Sequence, residues 1–330
     1  MKDSLSFHIS VAPMMNWTDR HCRYFHRLLS QHVRLYTEMI VADAVIHGDR
    51  RHLLGFDPVE HPVALQIGGS DPEKMSKAAQ IGADWGYDEI NINVGCPSDR
   101  VQSGRFGACL MGEPQTVVEC FQAMQAAVDI PVTIKCRLGI DDQNVEETLP
   151  QFIAEIGAAG CTQVIIHARK ARLDGLSPGE NRAIPPLDYG LVRRMKAGFP
   201  ETGIVLNGGL QTLDAAMEEV GKLDGVMFGR AAYQDPWILS DIDRKIYGAL
   251  PFARPREDIV RELIAYARTL ESSANSRSAR ALVHHVTGLY AHQPGARLWR
   301  RTLSEQTATG RPPSAVIQAA LDARREMSAA

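Results

Sequence analysis

The chain has 330 residues, of which 45% are hydrophobic and 23% are charged, and its formal net charge is −3. This composition is typical of a soluble globular protein that buries a full core without metal or disulfide staples. It argues against a protein that meets a polyanion through its overall charge, so such a partner would need a local basic patch.

Cysteine usage and hydropathy indicate a cytoplasmic protein. The six cysteines form no Cys-x-x-Cys pair and show no Cys/His metal spacing, which predicts reduced thiols and no metal site. No charged start precedes an apolar run, and no stretch approaches about 18 apolar residues. Neither secretion nor membrane insertion is predicted, and no obligate protein partner is evident.

Strand-like and helix-like segments alternate over roughly the first 240 residues. The predicted strands cover residues 7–14, 35–40, 63–69, 89–94, 132–137, 163–167, 204–206 and 225–228. The predicted helices cover residues 18–30, 72–85, 115–128 and 145–159, with a further helix from residue 187. Asp71 and Pro72 suit the N-cap and first turn of the second of these helices.

Eight such units, with nearly continuous apolar strands, predict an α/β fold in which a parallel sheet closes into a (β/α)8 TIM barrel. A doubly wound open sheet is the competing fold. It rarely needs eight regular units, and no G-x-G-x-x-G follows the first strand.

The pattern changes after Gly248. Helical runs at about 256–272, 277–291, 295–306 and 313–328 predict a small all-α bundle. We therefore expect a catalytic barrel domain over residues 1–248 and a helical domain over residues 249–330. The second segment has twelve arginines, seven acidic residues and no lysine, a formal charge of +5.

Cys96 stands between Gly95 and Pro97 at the carboxyl end of the fourth predicted strand, before a loop with glycines at 104 and 107. A free cysteine is usually a small buried hydrophobe, but this position favours a catalytic thiol. Cys109 in the same loop is the rival, and its apolar neighbours make it look structural.

Glycine-rich turns follow the seventh and eighth strands, where barrels of this kind often hold phosphate. Backbone N–H groups at glycines can approach a phosphate, and an arginine can grip it with two hydrogen bonds. Tight turns with a solvated arginine are the alternative. The residues are Asn207, Gly208, Gly209, Gly229 and Arg230.

Polar side chains at three other strand ends are predicted to face the barrel mouth: Gln66, Lys135 and His167. Lysine is rarely buried without a partner, and the anionic reduced flavin ring would supply one. His167 could donate to the ring's pyrimidine edge or to phosphate, or be a satisfied core histidine.

Pro13, Met14 and Met15 close the first strand and suit the floor of a site for a flat ring, although ordinary core packing explains them equally. Together these positions predict a phosphorylated flat cofactor, most simply FMN, with Cys96 above it. A thiol of ordinary pKa is mostly protonated at neutral pH. It can therefore act as a general acid beside a hydride donor, and the pair would reduce an activated C=C bond.

Several segments, in the same order over about residues 8–306, closely resemble the bacterial tRNA-dihydrouridine synthases of the A-type subfamily. They are APMMNWTDRHCRYF, HPVALQIGGSDP, EININVGCPSDRVQSGRFGACLM, PVTIKCRLGIDD, IIHARKA, NRAIPPLDY, LNGG, DGVMFGRAAYQDP and PGARLWRR. The resemblance implies an FMN enzyme, fed by NADPH, that reduces uridine to dihydrouridine in the tRNA D-loop, typically at nucleotides 20 and 20a.

The resemblance also implies roles for residues. Cys96 becomes the proton donor to C5 of a flipped-out uridine, while flavin N5 delivers hydride to C6. The implied flavin contacts are Pro13, Met14, Met15, Gln66, Lys135, His167, Asn207, Gly208, Gly209, Gly229 and Arg230. The implied tRNA contacts are Asn93, Arg182, Arg297 and Arg300. Met15 and Ala183 stand where the family pattern suggests Leu and Glu.

Three other readings stay open at this point. A flavin barrel acting on a free pyrimidine or small enone could use the same thiol, lysine and phosphate site. A Schiff-base aldolase could use Lys135 without flavin. A non-catalytic RNA-binding module would explain the arginines of the helical segment but would not need Gly95-Cys96-Pro97.

Overall fold

A computed structural model describes residues 7–98, 104–272 and 279–329, with side chains to residue 327. In this part of the chain the strands are β1 (His8–Val11), β2 (Arg34–Tyr36), β3 (Ile40–Val41), β4 (Val63–Gly68), β5 (Glu89–Val94), β6 (Val132–Arg137), β7 (Gln163–His167), β8 (Gly203–Asn207) and β9 (Gly225–Phe228). Every pairing is parallel, in the order β2-β1-β9-β8-β7-β6-β5-β4-β3, and β2 also pairs with β4. This last pairing closes the sheet, so the predicted parallel barrel is confirmed.

The longer helices alternate with the strands. Over the described residues the helices are α1 (Arg20–Arg27), α2 (Ala42–His47), α3 (Arg50–Leu54), α4 (Pro72–Trp85), α5 (Pro114–Ala127), α6 (Val145–Ala158), α7 (Tyr189–Gly198), α8 (Leu213–Met217), α9 (Arg230–Gln234), α10 (Ile242–Tyr247), α11 (Arg256–Glu271), α12 (Ala279–His285), α13 (Ala296–Ala308) and α14 (Pro313–Ala329). The last four correspond to the four predicted helical runs; the first residues of the second run, Arg277 included, lie outside the described residues.

Several predicted bounds differ from the structure, such as the first strand, which covers His8–Val11, and the first helix, which covers Arg20–Arg27. Two further differences have visible local reasons. The strand expected over residues 35–40 is split into β2 and β3, and between them the Thr37 hydroxyl donates to the Glu38 carbonyl at 2.7 Å. Such a local bond competes with regular pairing. The helix expected from residue 187 begins at Tyr189, because Asp188 serves as its N-cap and accepts from Leu191 N at 2.8 Å.

The chain divides into two compact units. The first comprises Met1–Met15 and Arg34–Gly229 and contains the barrel; the second comprises Asn16–Val33 and Arg230–Ala330. In the second unit, α1 is anchored by a stack of Tyr24 on Tyr266, with ring centroids 3.8 Å apart. The expected division of roles between residues 1–248 and 249–330 stays a prediction.

The barrel contains both a buried apolar cluster and a row of buried polar side chains. A buried apolar cluster comprises Ala12, Tyr36, Ala64, Ile165, Val205 and Met227. On β5, by contrast, alternate residues are polar and buried: Glu89, Asn91 and Asn93. Buried polar groups are costly without hydrogen bonds, and the bonds of these residues run from the beginning of β5 to its carboxyl end. None of the helices in the described ranges is long and apolar enough to cross a membrane.

Candidate active site

Cys96 lies on a turn that the backbone of β5 enters directly. Asn93 Oδ1 accepts hydrogen bonds from Gly95 N at 3.1 Å and from Cys96 N at 3.0 Å. The Cys96 carbonyl accepts from Ala108 N at 2.9 Å. The thiol is partly exposed, and its Sγ lies 3.5 Å from Ser98 Oγ. The turn therefore fixes the backbone of this cysteine on both sides while leaving its side chain accessible.

Asn93 and Gln66 are joined across β4 and β5. Asn93 Nδ2 donates to Gln66 Oε1 at 2.7 Å, and both side chains are buried. Gln66 Nε2 in turn donates to Asn91 Oδ1 at 2.7 Å. Each amide keeps one N–H hydrogen beyond these bonds. The structure thus brings together two residues that the sequence assigned separately to flavin and to substrate.

Lys135 is the partner of Asn93 in the β5–β6 register. Burial, together with the positive charge of Arg137, lowers the pKa of Lys135 to about 8. In the described part of the chain, no hydrogen bond or ion pair reaches the Lys135 ammonium. A desolvated cation in this state favours an anionic ligand.

Arg137 was not predicted as a site residue, yet it is almost fully buried at the end of β6. Its Nε donates to the Gly95 carbonyl at 3.1 Å, and its NH1 donates to the Asn181 carbonyl at 2.9 Å. Burial lowers the pKa of the Arg137 guanidinium to about 10. The Arg137 side chain therefore holds the Cys96 turn through the Gly95 carbonyl and places a positive charge beside it. The signal in the sequence was its spacing of two from Lys135, which places both residues on one face of the strand.

His167 ends β7 and packs tightly on the glycine turn after β8. A Cβ on Gly208 would lie 2.6 Å from His167 Cδ2, and φ at Gly208 is +103°. Tyr189 donates to the Gly208 carbonyl at 2.6 Å. Burial, together with Arg137 and Lys135, holds the pKa of His167 well below its usual value. The imidazole is therefore neutral near pH 7 and can both donate and accept.

The predicted phosphate residues meet different surroundings. Gly209, with φ at +74°, follows Gly208 in a second left-handed conformation, so the turn requires glycine twice. A Cβ on Gly229 would meet nothing within 4 Å. Asn207 is buried and donates from Nδ2 to the Met227 carbonyl at 2.8 Å, which ties β8 to β9. Arg230 is the first residue of α9.

The residues that close the first strand are less enclosed. Met14 packs on the apolar cluster of the barrel interior, and Pro13 is partly buried. Met15 is 54% exposed. As a floor for a flat ring, this segment stays a prediction.

The loop between β7 and α7 is organised by one buried amide. Asn181 is fully buried, and its Nδ2 donates to the Arg172 carbonyl at 2.9 Å and the Leu176 carbonyl at 3.1 Å, while its Oδ1 accepts from Arg172 N at 2.7 Å. The adjacent Arg182 is exposed, and its charge contributes to the lowered pKa of Arg137 and His167. Arg182 therefore lies close enough to the carboxyl ends of β6 and β7 for its charge to act on Arg137 and His167.

Arg297 and Arg300 lie in the second compact unit, on α13. Both are exposed, and neither has a hydrogen bond or ion pair within the described residues. They line a surface groove of about 750 Å³, together with Gln293, Gly295, Ala296, Leu298, Arg301 and Met327. Trp299 between them is fully buried and donates from Nε1 to the Val286 carbonyl at 3.0 Å, which fixes the helix face that carries the arginines.

Cys109 has a structural environment. Its Sγ donates to the Phe106 carbonyl at 3.1 Å, and burial raises the pKa of this thiol. Cys96 and Cys109 are both partly exposed, but a thiol committed to a backbone carbonyl is the poorer candidate for proton transfer.

Comparison with known proteins identifies close relatives. A family model described as dihydrouridine synthase (Dus) matches residues 10–325. The tRNA-dihydrouridine(20/20a) synthase of Vibrio cholerae serotype O1 is 53% identical over 301 residues, which cover 91% of this chain and 91% of that protein. The protein of the same name from Synechocystis sp. is 48% identical over 317 residues, covering 96% of this chain and 94% of its own.

Two solved structures share the fold at low sequence identity. An old yellow enzyme homologue from Zymomonas mobilis superposes with a TM-score of 0.53 at 12% identity, over 75% of this chain and 90% of its own. Morphinone reductase superposes with a TM-score of 0.53 at 12% identity, over 76% of this chain and 88% of its own. Both support a barrel of the same architecture.

Proposed function

The chain belongs to the dihydrouridine synthase family, and we propose that it reduces uridine to dihydrouridine in the D-loop of tRNA, at nucleotides 20 and 20a. The observation that carries this proposal is the Cys96 turn. It presents an accessible thiol at the carboxyl end of β5, where Asn93, Lys135 and Arg137 also converge. A tRNA substrate also fits the predicted cytoplasmic location.

The residues present fit FMN as the cofactor. Lys135 offers an unpaired, desolvated ammonium to the electron-rich edge of the ring, and neutral His167 offers a donor beside it. The left-handed turn at Gly208 and Gly209 and the open space at Gly229 suit the phosphate. Asn207, Arg230 and the segment from Pro13 to Met15 complete the proposed contacts. When bound, FMN reduced by NADPH supplies the hydride that adds to C6 of the uracil.

Cys96 supplies the other hydrogen. Its Sγ–H bond breaks, the proton goes to C5 of the uracil, and the new C5–H and C6–H bonds replace the C5=C6 double bond. The thiolate that remains faces the positive charges of Lys135 and Arg137, whose own pKa values respond to Cys96. Both cations therefore stabilise the charge that develops on sulfur, and solvent then returns the proton.

Asn93 and the arginines hold the substrate. Asn93 has one amide hydrogen that the turn and Gln66 do not use, and we assign it to a uracil carbonyl. A uridine must leave its stack to reach this depth. Arg182 beside the strand ends, and Arg297 and Arg300 on α13, are proposed to contact phosphates of the tRNA.

The test is reduction of an unmodified tRNA transcript by the purified protein with FMN and NADPH, followed by mass spectrometry of D-loop fragments. We expect dihydrouridine at nucleotides 20 and 20a. Free uridine and a small enone serve as comparison substrates. Their reduction at rates equal to that of tRNA would favour a small-molecule flavin reductase, and no reduction of any of them would contradict the proposal.

A further inference from the structure

A chain of hydrogen bonds runs inside the barrel from the Cys96 turn to the opposite ends of the strands. Cys96 N donates to Asn93, Asn93 to Gln66, and Gln66 to Asn91. Asn91 Nδ2 then donates to Thr133 Oγ1 at 2.8 Å, and Thr133 Oγ1 donates to Glu89 Oε1 at 2.6 Å. We call these side chains the relay: Asn93, Gln66, Asn91, Thr133 and Glu89. None of them is more than 8% exposed.

The two ends of the relay fix the donor and the acceptor in every hydrogen bond between them. A backbone N–H can only donate, and a carboxylate can only accept. Glu89 accepts from Thr133, from Tyr36 at 2.6 Å and from Arg34, and it donates to none of them. Thr133 must therefore accept from Asn91, whose oxygen must face Gln66. The Gln66 oxygen must consequently face Asn93, and the Asn93 oxygen must face the turn.

We propose that Thr133 and Asn91 are positioning residues for the Cys96 thiol. Thr133 and Asn91 link the carboxylate of Glu89, which only accepts hydrogen bonds, to the amide of Gln66. The Gln66 amide in turn keeps the oxygen of Asn93 directed at the N–H groups of Gly95 and Cys96. The free N–H hydrogen of Asn93 then points away from the turn, where a uracil carbonyl is proposed. This inference rests on the proposed function for its consequence on turnover, but not for its structural effect.

Removing the Thr133 hydroxyl should release the far end of the relay. In Thr133→Val, Asn91 loses its acceptor and Glu89 loses one donor. The amides of Gln66 and Asn93, farther along the relay, can then adopt alternative orientations. Loss of one buried hydrogen-bond partner corresponds to about a 5- to 100-fold change in a local equilibrium. We therefore expect the Gly95 and Cys96 amide hydrogens to exchange with solvent roughly 5- to 100-fold faster, because their acceptor is Asn93.

The experiment measures hydrogen exchange at these two amides and steady-state reduction of tRNA in the same purified variants. Thr133→Val should lower kcat about tenfold, within the range for one lost hydrogen bond, and leave KM for tRNA unchanged. Thr133→Ser, which keeps the hydroxyl, should restore both exchange protection and kcat. Thr202→Val is the matched control, because Thr202 is a buried threonine of the same unit that takes no part in the relay. It should behave as wild type.

Exchange at β8 amides reports general loosening of the barrel and should not change in Thr133→Val. Wild-type exchange at Gly95 and Cys96 in Thr133→Val would overturn the inference, as would a Thr133→Ser variant equally defective. Failure of the proposed function would give a different result, since wild-type protein would then form no dihydrouridine. The exchange data would still show whether Thr133 and Asn91 hold the Cys96 turn in place.

Discussion

Lys135 is the residue whose protonation state bears most directly on cofactor binding. In the protein without flavin its pKa is lowered to about 8, chiefly by burial. A ligand atom that accepts a hydrogen bond from the ammonium raises the pKa of a lysine, because it favours the charged form. Protonated Lys135 must therefore bind the electron-rich edge of the flavin ring more tightly than neutral Lys135.

The affinity for FMN should accordingly be constant below pH 8 and fall as pH rises through that value. In Lys135→Met the affinity should be weaker by about 10- to 100-fold near pH 7, as expected for one charged hydrogen bond, and the fall between about pH 7 and pH 9.5 should vanish. Fluorescence titration of FMN measures both effects. Lys222→Met, at an exposed position of the same unit, is the control. An equal pH dependence in Lys135→Met and wild type would contradict the role of Lys135.

Single residues were predictable from the sequence where polarity interrupts an apolar strand. Lys135 stood out for this reason, whereas Asn93 was expected only from the family resemblance; the structure places the two as register partners. Arg137 and Asn91 did not, because an arginine at a strand end looks solvated and an asparagine inside a strand has no visible partner. Their importance comes from contacts with Gly95 and Thr133, which are distant in sequence.

At the scale of elements, α13 carries the exposed arginines that we assign to tRNA. Arg297→Glu and Arg300→Glu should each weaken tRNA binding most at low salt, and each should reduce the slope of log affinity against log salt by about 1. Filter binding over a salt series measures this slope. The control is Arg244→Glu, which changes the charge by the same amount at an exposed position of α10. It separates the effect of the arginines on α13 from the effect of net charge. Salt slopes that match wild type in Arg297→Glu and Arg300→Glu would count against the patch.

The loop between β7 and α7 makes a different prediction. Asn181→Ala removes a buried amide that satisfies backbone groups at Arg172 and Leu176, which should cost about 1–3 kcal/mol of local stability. We expect faster tryptic cleavage within the loop and a raised KM for tRNA, because Arg182 is its neighbour. Ser177→Ala is the control in the same loop, since it removes an exposed hydroxyl contact to Glu180. Unaltered cleavage and KM in Asn181→Ala would argue against this role.

Element boundaries were predictable where burial is nearly complete on both faces of a strand. The bounds of β5, β6, β7 and β9 follow from apolar runs that end at polar residues or glycine. The break between β2 and β3 was not, because it depends on the hydroxyl of Thr37 bonding a local carbonyl. Short helices such as α8 and α9 carry too few turns to show a period.

At the scale of the whole molecule, parallel β–α repetition was enough to predict a closed barrel, since the periodicity of eight buried strands leaves few alternatives. The composition of the compact units was harder to foresee. Residues 16–33 lie between two barrel strands in sequence, yet they cluster with the helices after Arg230, through contacts such as Tyr24 on Tyr266 and Trp17 on Tyr233. Aromatic stacking between distant segments leaves no signal in local periodicity.

In the proposed mechanism the flavin supplies the hydride and Cys96 supplies the proton. Only one of the two half-reactions therefore depends on Cys96. Reduction of the bound flavin by NADPH needs no proton from this thiol, whereas reoxidation by tRNA does. Cys96→Ala should therefore bind FMN and accept electrons from NADPH as wild type does. Loss of a general acid lowers a rate by about 10²- to 10⁴-fold.

The most direct measurement follows the visible absorbance of the flavin after the reduced protein is mixed with unmodified tRNA in a stopped-flow instrument without oxygen. We predict that reoxidation in Cys96→Ala slows by about 10²- to 10⁴-fold, while Cys109→Ala, whose thiol bonds the Phe106 carbonyl, reoxidises like wild type. Reoxidation of Cys96→Ala at the wild-type rate, with dihydrouridine formed, would contradict the assignment of the proton to Cys96.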